Sequence, residues 1–345
     1  MLDLHLNLTP EKPAPSMFTG PVAPDENVVY DLLVIGAGPA GLNAALYAKR
    51  KGRNVAVFGD RVGGQMLNTS MVENYIGTSQ NSGYELSQKF GNDIEALGIP
   101  ILSGYLIDGW QQEEDDVIKL YATNRKQYRG KTVLLATGST PRKLGIPGEI
   151  ELADRGVSYC AICDGPLFKQ KRLIVAGGGN AAAEAALDLA RIGREVTVVQ
   201  RSEFRADHIL MAELEKLDNV TLLTQTQIER INGEEHVENI EVYDKVRGER
   251  YVIEADAVFV EIGHDPNLGP FKMDLEVNDN GEIIVDQCNR TNIPGVFAAG
   301  DVTETMYKQI VIAAADGAQA ALSINNELTT GESRMQTAAH KERNC

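Results

Sequence analysis

The chain has 345 residues, 43% of them hydrophobic and 24% charged, which is an ordinary balance for a soluble globular protein long enough for two domains. Its formal net charge of −16 disfavours binding to nucleic acid or to an anionic membrane surface. No apolar run is long enough to span a bilayer, so no transmembrane segment is predicted.

Residues 1–27 are rich in proline and polar side chains and predict a flexible N-terminal arm. They lack the basic start and apolar core of a signal peptide, so a cytoplasmic location is expected.

A strand, a helix and a second strand are predicted next. In YDLLVIGAGPAGLNAALYAKRKGRNVAVFGD, an apolar run over Asp31–Ile35 indicates a buried strand. A helix is predicted over Ala40–Lys51, and a strand follows over Asn54–Phe58. This order is that of a βαβ unit in a parallel sheet.

Three glycines connect the first strand to the helix. Gly36, Gly38 and Gly41 form G-x-G-x-x-G, in which the first permits a tight turn and the second lets a pyrophosphate approach the backbone. The third lets helix and strand pack closely, and the phosphates would sit at the helix N-terminus. The pattern therefore predicts a dinucleotide site. Asp60, near the end of the second strand, could hold a ribose hydroxyl or be a solvated loop acid.

Cys160 and Cys163 stand two residues apart in GVSYCAICDG, directly before Asp164. Such a pair can be half of a zinc site, a structural bridge or a redox pair. A structural zinc needs four ligands, and no second close pair of cysteines or histidines is evident, so no metal site is predicted. Four scattered cysteines do not make a disulfide framework either, which leaves a redox pair as the favoured interpretation. Asp164 would be a general acid–base for the thiols or a turn residue before Gly165.

A second glycine loop follows the cysteines in KRLIVAGGGNAAAEAALDLARIGREVTVVQR. Strands are predicted over Arg172–Ala176 and Glu195–Val199, with a helix over Asn180–Ile192 between them. Gly177 and Gly179, with alanine in the third place, form a variant of the dinucleotide pattern.

Beyond the last strand of this motif, an acid would hold an adenosine 2′-hydroxyl. Arg201 and Arg205 instead suit a 2′-phosphate, or they are surface arginines beside an ordinary βαβ unit. Two nucleotide sites in one chain are typical of a flavin that relays electrons from a nicotinamide.

An ordered set of motifs between residues 30 and 326 resembles the low-molecular-weight thioredoxin reductases. The motifs are GAGPAG, GGQM, VENYIG, LLATG, YCAICDG, GGGN, IGHDPN, VFAAGDV and YKQ. The resemblance implies an α/β fold with two Rossmann-like FAD/NAD(P)-binding domains, the nucleotide domain being inserted into a discontinuous FAD domain. It implies FAD as a cofactor, NADPH as the favoured electron donor and a homodimer.

Carried over residue by residue, the resemblance predicts three groups of ligand-binding residues. Those for the FAD pyrophosphate and flavin are Gly36, Gly38, Pro39, Ala40, Gly41, Asp60, Gly64, Gln65, Asn74, Ala136, Thr137 and Gly138. Those for the ribityl chain and isoalloxazine are Gly300, Asp301, Lys308 and Gln309. Those for NADPH are Gly177, Gly179, Asn180, Ala182, Arg201 and Arg205. Asp301 could also be the N-cap of the following helix.

The domain boundaries follow from the same resemblance. The FAD-binding domain would comprise residues 28–140 and 264–326, and the inserted NAD(P)-like domain with the redox disulfide residues 141–263. Two short connections containing proline beside glycine or aspartate would act as hinges. Residues 327–345 would form a polar, disordered tail, or its His340 would cover a flavin face. Terminal Cys345 could be a resolving thiol, and Cys288 is predicted to be a small core residue in a strand-like segment.

In the cycle implied by the resemblance, reduced flavin opens the Cys160–Cys163 disulfide, and the dithiol then reduces a thioredoxin-type protein through a mixed disulfide. Because one rigid arrangement can hardly admit all the required contacts, rotation of the inserted domain is expected.

The sequence departs from the family at the phosphate site. NADPH-dependent members typically have His-Arg-Arg where this chain has Gln200-Arg201-Ser202, and Glu203 adds a negative charge. Ferredoxin or a second flavin therefore stays open as the donor. A non-catalytic flavin sensor is a further alternative, and a ferredoxin–NADP reductase would need no Cys-x-x-Cys.

Overall fold

The computed structural model describes residues 23–69, 71–78, 81–113 and 116–331. The predicted flexible arm up to residue 22 lies outside the described residues. So does the predicted tail beyond residue 331, with His340 and Cys345.

The described chain contains the following strands: β1 (Val29–Ile35), β2 (Val55–Gly59), β3 (Ile101–Ser103), β4 (Ile107–Gln112), β5 (Ile118–Ala122), β6 (Gln127–Leu135), β7 (Ser139–Pro141), β8 (Val157–Ser158), β9 (Arg172–Ala176), β10 (Glu195–Val199), β11 (Val220–Leu223), β12 (Thr226–Asn232), β13 (Asn239–Asp244), β14 (Glu249–Glu254), β15 (Ala257–Val260), β16 (His264–Pro266) and β17 (Val296–Ala298). The α-helices are α1 (Pro39–Arg50), α2 (Gly83–Ala96), α3 (Ala161–Asp164), α4 (Asn180–Ala190), α5 (His208–Leu214) and α6 (Ile310–Thr330). Short 3₁₀ helices cover Gly64–Asn68, Gly165–Phe168 and Gly269–Phe271.

The chain forms two compact units. The first contains the described residues of Met1–Asn68, Gly83–Gly138 and Pro266–Cys345, and the second those of Thr69–Ser82 and Ser139–Asp265.

In the first unit, a seven-stranded sheet has the order β3-β2-β1-β6-β5-β4, and β17 also pairs with β6. The strands β3, β2, β1, β6 and β17 run parallel, whereas β4 and β5 are antiparallel additions. Five of the seven β1 residues are buried, as expected for a parallel strand covered on both faces. Helix α6 packs against α1, and a Cβ on Gly317 would overlap the Ala40 carbonyl oxygen, so the two helix backbones approach closely.

In the second unit, a five-stranded parallel sheet has the order β11-β10-β9-β15-β8, and β12, β13 and β14 form an antiparallel sheet. Helix α4 connects β9 to β10 as the predicted βαβ crossover. Strands β7 and β16 pair with each other.

The predicted elements agree closely with the observed ones, and the differences have local causes. Helix α1 begins at Pro39. Proline fits the first helical position because the backbone N–H that it lacks would have no hydrogen-bond partner within the helix there. Helix α4 ends at Ala190 rather than Ile192, because the Arg191 and Ile192 amides donate to carbonyls only three residues back, those of Asp188 and Leu189. Cys288 is buried as predicted but lies in a turn rather than a strand.

At the C-terminal end, helix α6 continues through Thr330, and Gly331 ends it in the left-handed conformation. None of the helices within the described ranges is long and apolar enough to cross a membrane.

Candidate active site

The first glycine loop has the geometry of a dinucleotide-binding turn. Gly36 has φ +117°, and a Cβ there would overlap the carbonyl oxygen of Ala136. A Cβ on Gly41 would overlap the carbonyl oxygen of Gly36, so this glycine permits the close contact of helix and turn. At Gly38 the nearest neighbour of an added Cβ would be the Gly64 Cα atom at 4.0 Å. The loop is therefore packed tightly at its first and third glycines and open at its second.

Two other segments lie against this loop. The Gly63 amide donates to the Ala37 carbonyl at 2.7 Å, and the Ala136 amide donates to the Ile35 carbonyl at 2.7 Å. An added Cβ on Gly138 would lie 3.6 Å from the Gln65 side-chain nitrogen. The structure thus brings together, at the C-terminal ends of β1 and β6, predicted FAD residues from three parts of the chain: Gly36, Gly38, Pro39, Ala40, Gly41, Gly64, Gln65, Ala136, Thr137 and Gly138.

The FAD-binding roles of two other residues, Asp60 and Asn74, stay predictions. Asp60 follows β2 and is exposed, with an ion-pair contact to Arg61 at 3.9 Å. Asn74 lies in Thr69–Ser82, which belongs to the second compact unit.

Gly300 and Asp301 follow β17 in the same unit as the first glycine loop. An added Cβ on Gly300 would lie 2.9 Å from the Ala40 Cβ atom, so Gly300 sits against the start of α1. The Oδ1 atom of Asp301 and the hydroxyl of Thr137 are both buried without a hydrogen-bond partner. Buried polar atoms without partners are rare, and they indicate a ligand that supplies the missing hydrogen bonds. These atoms and the open side of Gly38 fit FAD, which brings hydroxyl groups and a pyrophosphate.

The pKa of Asp301 is raised to about 6, mainly by burial. Lys308 acts to lower this pKa, and Asp316 acts to raise it. The alternative interpretation of Asp301 as a helix N-cap is wrong, because α6 begins only at Ile310, after Gln309.

The Lys308 ammonium group pairs with Glu282 at 2.8 Å and donates to the Thr303 carbonyl at 2.7 Å. The side-chain amide of Gln309 donates to the Lys308 carbonyl at 3.0 Å. A contact of Lys308 with the isoalloxazine stays a prediction, and in this structure its charge is already matched by Glu282.

Replacing Asp301 by asparagine is expected to stabilise the apoprotein near neutral pH and to weaken FAD retention. The folded-state pKa of about 6 exceeds the unfolded value of 3.8, so the folded apoprotein binds the proton more tightly and loses stability as pH rises from about 4 to about 6. The cost is at most about 3 kcal/mol at neutral pH. Thermal unfolding of the apoproteins at about pH 7.5 and at about pH 4 measures it.

The matched control for this prediction is Asp108→Asn, because Asp108 is an exposed aspartate on β4 of the same unit. Equal unfolding temperatures for Asp301→Asn and the parent apoprotein at neutral pH would contradict the burial argument.

Cys160 and Cys163 form a disulfide, with their Cα atoms 5.3 Å apart. Cys160 is the N-cap of α3, and its sulfur accepts a hydrogen bond from the Cys163 amide at 3.2 Å. The Cys160 amide in turn donates to the Ser158 hydroxyl oxygen at 3.1 Å. The backbone of the pair is therefore held by hydrogen bonds on both sides of the first cysteine.

Asp164 lies directly behind the pair. Its Oδ2 atom accepts a hydrogen bond from the Ser158 hydroxyl at 2.6 Å, and its Oδ1 atom is buried without a partner. Burial raises the pKa of Asp164, and the Ser158 hydrogen bond acts in the opposite direction. A carboxyl group with a raised pKa and one oxygen without a hydrogen-bond partner can hold and release a proton. An aspartate that only shapes a turn needs neither feature.

The second glycine loop repeats the geometry of the first. Gly177 has φ +151°, and an added Cβ would overlap the Glu261 carbonyl oxygen. Nothing lies within 4 Å of an added Cβ on Gly179, so this side is open. Ala182 is fully buried beside Gly177. Asn180 exchanges two hydrogen bonds with Asp207, of 2.8 and 2.9 Å, and thereby joins the start of α4 to that of α5.

The loop after β10 carries the two candidate phosphate-binding arginines. The Arg205 amide donates to the Gly178 carbonyl at 2.7 Å, which places its backbone at the glycine loop. Arg201 and Arg205 are exposed, and within the described parts of the chain neither guanidinium forms an ion pair. Glu203 accepts a hydrogen bond from Gln225 at 2.9 Å. No carboxylate stands directly after β10, because Gln200 occupies that position and packs against Gly178.

Glu261 is a residue of this site that the sequence reasoning missed. Its carboxylate accepts a hydrogen bond from the amide of Ala161, between the two cysteines, at 3.2 Å. Burial raises its pKa to about 7, and the Ala161 amide acts to lower it. The signal in the sequence was an acid at the end of an apolar run, VFVEIG. Within the described ranges, no cluster of histidine, cysteine and carboxylate side chains has the arrangement of a metal site.

Comparison with known proteins settles the family. A family model described as pyridine nucleotide-disulphide oxidoreductase matches residues 30–317. The chain belongs to this family. Among its relatives, the alkyl hydroperoxide reductase (F subunit) of Staphylococcus aureus strain Mu50 is 42% identical over 295 residues, which are 85% of this chain and 58% of that protein. The chain thus spans little more than half of the curated relatives it matches.

Solved structures of this oxidoreductase family match over nearly their whole length. Thioredoxin reductase from Streptococcus pyogenes is 36% identical with a TM-score of 0.81, and the match covers 88% of this chain and 99% of that one. Thioredoxin reductase from Giardia duodenalis is 30% identical with a TM-score of 0.80, over 87% and 99%. The predicted resemblance, the fold class, the FAD cofactor and the assignment as a flavin-dependent disulfide oxidoreductase are confirmed.

Proposed function

We propose that this oxidoreductase passes electrons from NADPH through FAD and the Cys160–Cys163 pair to the disulfide of a thioredoxin-type protein. The observation that carries the proposal is the closed Cys160–Cys163 disulfide, which shares one compact unit with an open nucleotide loop and a buried acid, Asp164. A disulfide with a purely structural role would not require a neighbouring Asp164 oxygen that is buried without a hydrogen-bond partner.

Bound FAD would supply a carrier that accepts a hydride from a nicotinamide and delivers two electrons to a disulfide. In the first binding loop, the open side of Gly38 and the Asp301 and Thr137 oxygens would hold the cofactor. When the disulfide receives two electrons, the Cys160–Cys163 bond breaks and leaves two thiolates. Two protons would convert both of them into thiols. Asp164 would deliver one proton to a sulfur and leave the other sulfur as a thiolate.

The thiolate would then attack the partner's disulfide and form a mixed disulfide, with one partner sulfur leaving as a thiolate that takes a proton from solvent. Attack by the second cysteine would re-form the Cys160–Cys163 bond and release the partner as a dithiol. Two electrons are transferred in each turn, and Asp164 recovers its proton from solvent.

NADPH is the proposed donor because Arg201 and Arg205 stand beside the second loop without ion-pair partners in the described chain. Ferredoxin or a second flavin as the donor is the alternative. A non-catalytic redox sensor would keep the disulfide but not turn over.

The Arg205→Ala variant is expected to raise KM for NADPH about tenfold or more and to leave KM for NADH nearly unchanged. One charge-assisted hydrogen bond to a phosphate contributes roughly 1.5–3 kcal/mol, and NADH lacks the 2′-phosphate. Steady-state kinetics with both nucleotides measure the difference. Arg191→Ala is the control, because Arg191 follows the opposite end of α4 and pairs with Asp188. The same rise in KM for both nucleotides would refute a phosphate contact.

A second acceptor can be tested separately, because the 42% identical relatives are subunits of alkyl hydroperoxide reductases. In this candidate function, the Cys160–Cys163 dithiol would feed a partner that reduces hydroperoxides. The chain spans 58% of those relatives, so the acceptor is a proposal drawn from the aligned portion alone. Peroxide consumption with purified thioredoxin-type or peroxidase-type partners would separate the two acceptors.

Anaerobic titration of the purified FAD-containing protein tests the donor. Bleaching of the flavin by stoichiometric NADPH supports the main proposal, whereas bleaching by reduced ferredoxin alone supports the alternative. Bleaching without any later reduction of a disulfide substrate would support the sensor.

The domain boundaries at residues 28–140 with 264–326 and at residues 141–263, rotation of the inserted domain, a homodimer and a cytoplasmic location are also proposals. A cytoplasmic location suits a cysteine pair that must cycle between oxidised and reduced forms, because that compartment keeps thiols reduced. A crosslink between the two proposed domains that left turnover intact would exclude the rotation.

A further inference from the structure

Glu261 connects the redox cysteines to the second glycine loop. It follows β15 directly, at the point where the sheet order β10-β9-β15 places the ends of β9 and β15 side by side. Its amide donates to the carbonyl of Ala176, the last residue of β9, at 2.8 Å. Its carbonyl oxygen lies where a Cβ on Gly177 would be, and its carboxylate accepts from the Ala161 amide. One residue thus contacts both the nucleotide loop and the segment between the cysteines.

Few groups balance the negative charge of the Glu261 carboxylate. Within the described chain it accepts a single hydrogen bond, from a backbone amide, and no lysine or arginine in the described parts of the second unit pairs with it. Ala161 is buried and Glu261 is half-buried, so water has only partial access to this contact. A half-buried carboxylate held on the residue that follows Cys160 interacts with a charge on the sulfurs more strongly than it would in water.

We propose that Glu261 is a positioning residue whose carboxylate, held on the Ala161 amide, sets how readily the Cys160–Cys163 disulfide is reduced. This inference rests on the proposed function, because it requires that the pair be reduced in turnover. Reduction leaves a thiolate near the Glu261 carboxylate, and the two negative charges repel each other. The reduced state is therefore disfavoured while Glu261 is ionised. When Glu261 takes up a proton, the repulsion disappears and reduction becomes easier.

The pH dependence follows from this repulsion. Burial holds the pKa of Glu261 at about 7 in the oxidised protein, and a new thiolate raises it further, so reduction is linked to proton uptake above about pH 7. Below that pH, Glu261 is already protonated and exerts no repulsion. The shift in the Glu261 pKa comes from burial and the Ala161 amide. The charged groups on the adjoining segments are Asp164 on α3, whose pKa is also raised by burial, Asp154, whose pKa is raised by burial and by the charge of Asp164, and the Arg142–Asp265 pair beside Gly263.

The test compares the parent holoprotein with Glu261→Gln, which keeps an oxygen to accept the Ala161 hydrogen bond and removes only the charge. Each protein is equilibrated anaerobically with mixtures of reduced and oxidised dithiothreitol at about pH 6 and about pH 8. Dithiothreitol supplies both electrons and both hydrogens and becomes a cyclic disulfide. Free thiols are then trapped with an alkylating reagent and counted on the peptide that contains Cys160 and Cys163, so the other cysteines and the flavin do not contribute.

At about pH 8, Glu261→Gln is expected to be reduced with an equilibrium constant about tenfold larger than that of the parent, which is about 30 mV for a two-electron couple. At about pH 6 the two constants should be equal. The control Glu195→Gln, an exposed glutamate of the same unit, should match the parent at both pH values. Equal constants at both pH values, or the same shift at both, would overturn the proposal.

Two further measurements keep the inference testable. Glu261→Ala removes the charge and the hydrogen bond together and should show the same pH-selective shift if charge is the cause. The reduced-minus-oxidised infrared difference spectrum at about pH 8 should contain a protonated carboxyl band that Glu261→Gln lacks, and its presence in both proteins would overturn the proposal. If the parent's Cys160–Cys163 peptide never gains thiols in any mixture, the proposed function itself fails.

Discussion

Replacing Cys160 or Cys163 by serine is expected to abolish reduction of protein disulfides while leaving reduction of the flavin by its donor intact. The two sulfurs form the disulfide in the structure, and a serine oxygen can neither form that bond nor attack a partner's disulfide. The loss should be on the order of 10³-fold or more in kcat, because a nucleophile is removed rather than weakened.

The measurement for this prediction has two assays. Disulfide reduction is followed with a thioredoxin-type substrate, and flavin reduction by the donor is followed with an artificial electron acceptor that takes electrons from flavin directly. Cys288→Ser is the control, because Cys288 is also disulfide-bonded but lies outside the pair. This variant should retain both activities at some cost in stability, since Cys288 is buried and loses its disulfide. A Cys160→Ser protein with full reductase activity would remove the dithiol from the mechanism.

Gly38→Ala is expected to produce a folded protein that retains little FAD, whereas Gly36→Ala is expected to fold poorly. Gly38 has φ −84° and ψ −172°, which alanine adopts freely, and an added Cβ would meet only the Gly64 Cα atom at 4.0 Å. The methyl group would therefore project into the open side of the loop, where a pyrophosphate must approach the backbone. Gly36 has φ +117°, and a Cβ there would overlap the Ala136 carbonyl oxygen.

The two variants differ by position alone, so each serves as the control for the other. Visible absorbance at a fixed protein concentration reports bound flavin, and thermal unfolding of the apoproteins reports stability. Gly38→Ala apoprotein should unfold within about 1 kcal/mol of the parent, since a Gly→Ala change at an unstrained position is nearly neutral or slightly stabilising. Full flavin content in Gly38→Ala would show that no ligand contacts the backbone at that glycine.

The two glycine loops could be predicted from sequence because several of their glycines meet a local steric demand. Gly36 and Gly177 take up backbone angles that side chains rarely adopt, and Gly41 lies where a Cβ would overlap the preceding turn. Local demands of this kind leave a fixed spacing in the sequence. The strands that flank the loops were predicted for a similar reason, since parallel strands covered on both faces are apolar throughout.

Other features depend on contacts between distant residues and could not be predicted. Lys308 was predicted from sequence to reach the isoalloxazine, but in the structure its ammonium group forms an ion pair with Glu282. Helix α6 begins at Ile310 although helix-forming residues precede it. The segment after Asp301 is instead held in a turn, in which the Thr303 hydroxyl donates to the Gly300 carbonyl and Lys308 donates to the Thr303 carbonyl. Glu261 meets Ala161 only because β15 lies beside β8 in the sheet. Such pairings follow from topology rather than from spacing.

The contact between α1 and α6 has a consequence for the order in which the nascent protein matures. The first glycine loop precedes by more than 250 residues the α6 residues on which its helix packs, such as Ala313 and Ala320, and β6 can pair with β17 only once Val296–Ala298 has been synthesised. Ser139–Asp265 is continuous and can condense in the meantime. The surroundings of the first glycine loop are therefore complete only after α6 has been synthesised, and a chain truncated before residue 310 is expected to leave the apolar face of α1 uncovered for chaperones or proteases to recognise.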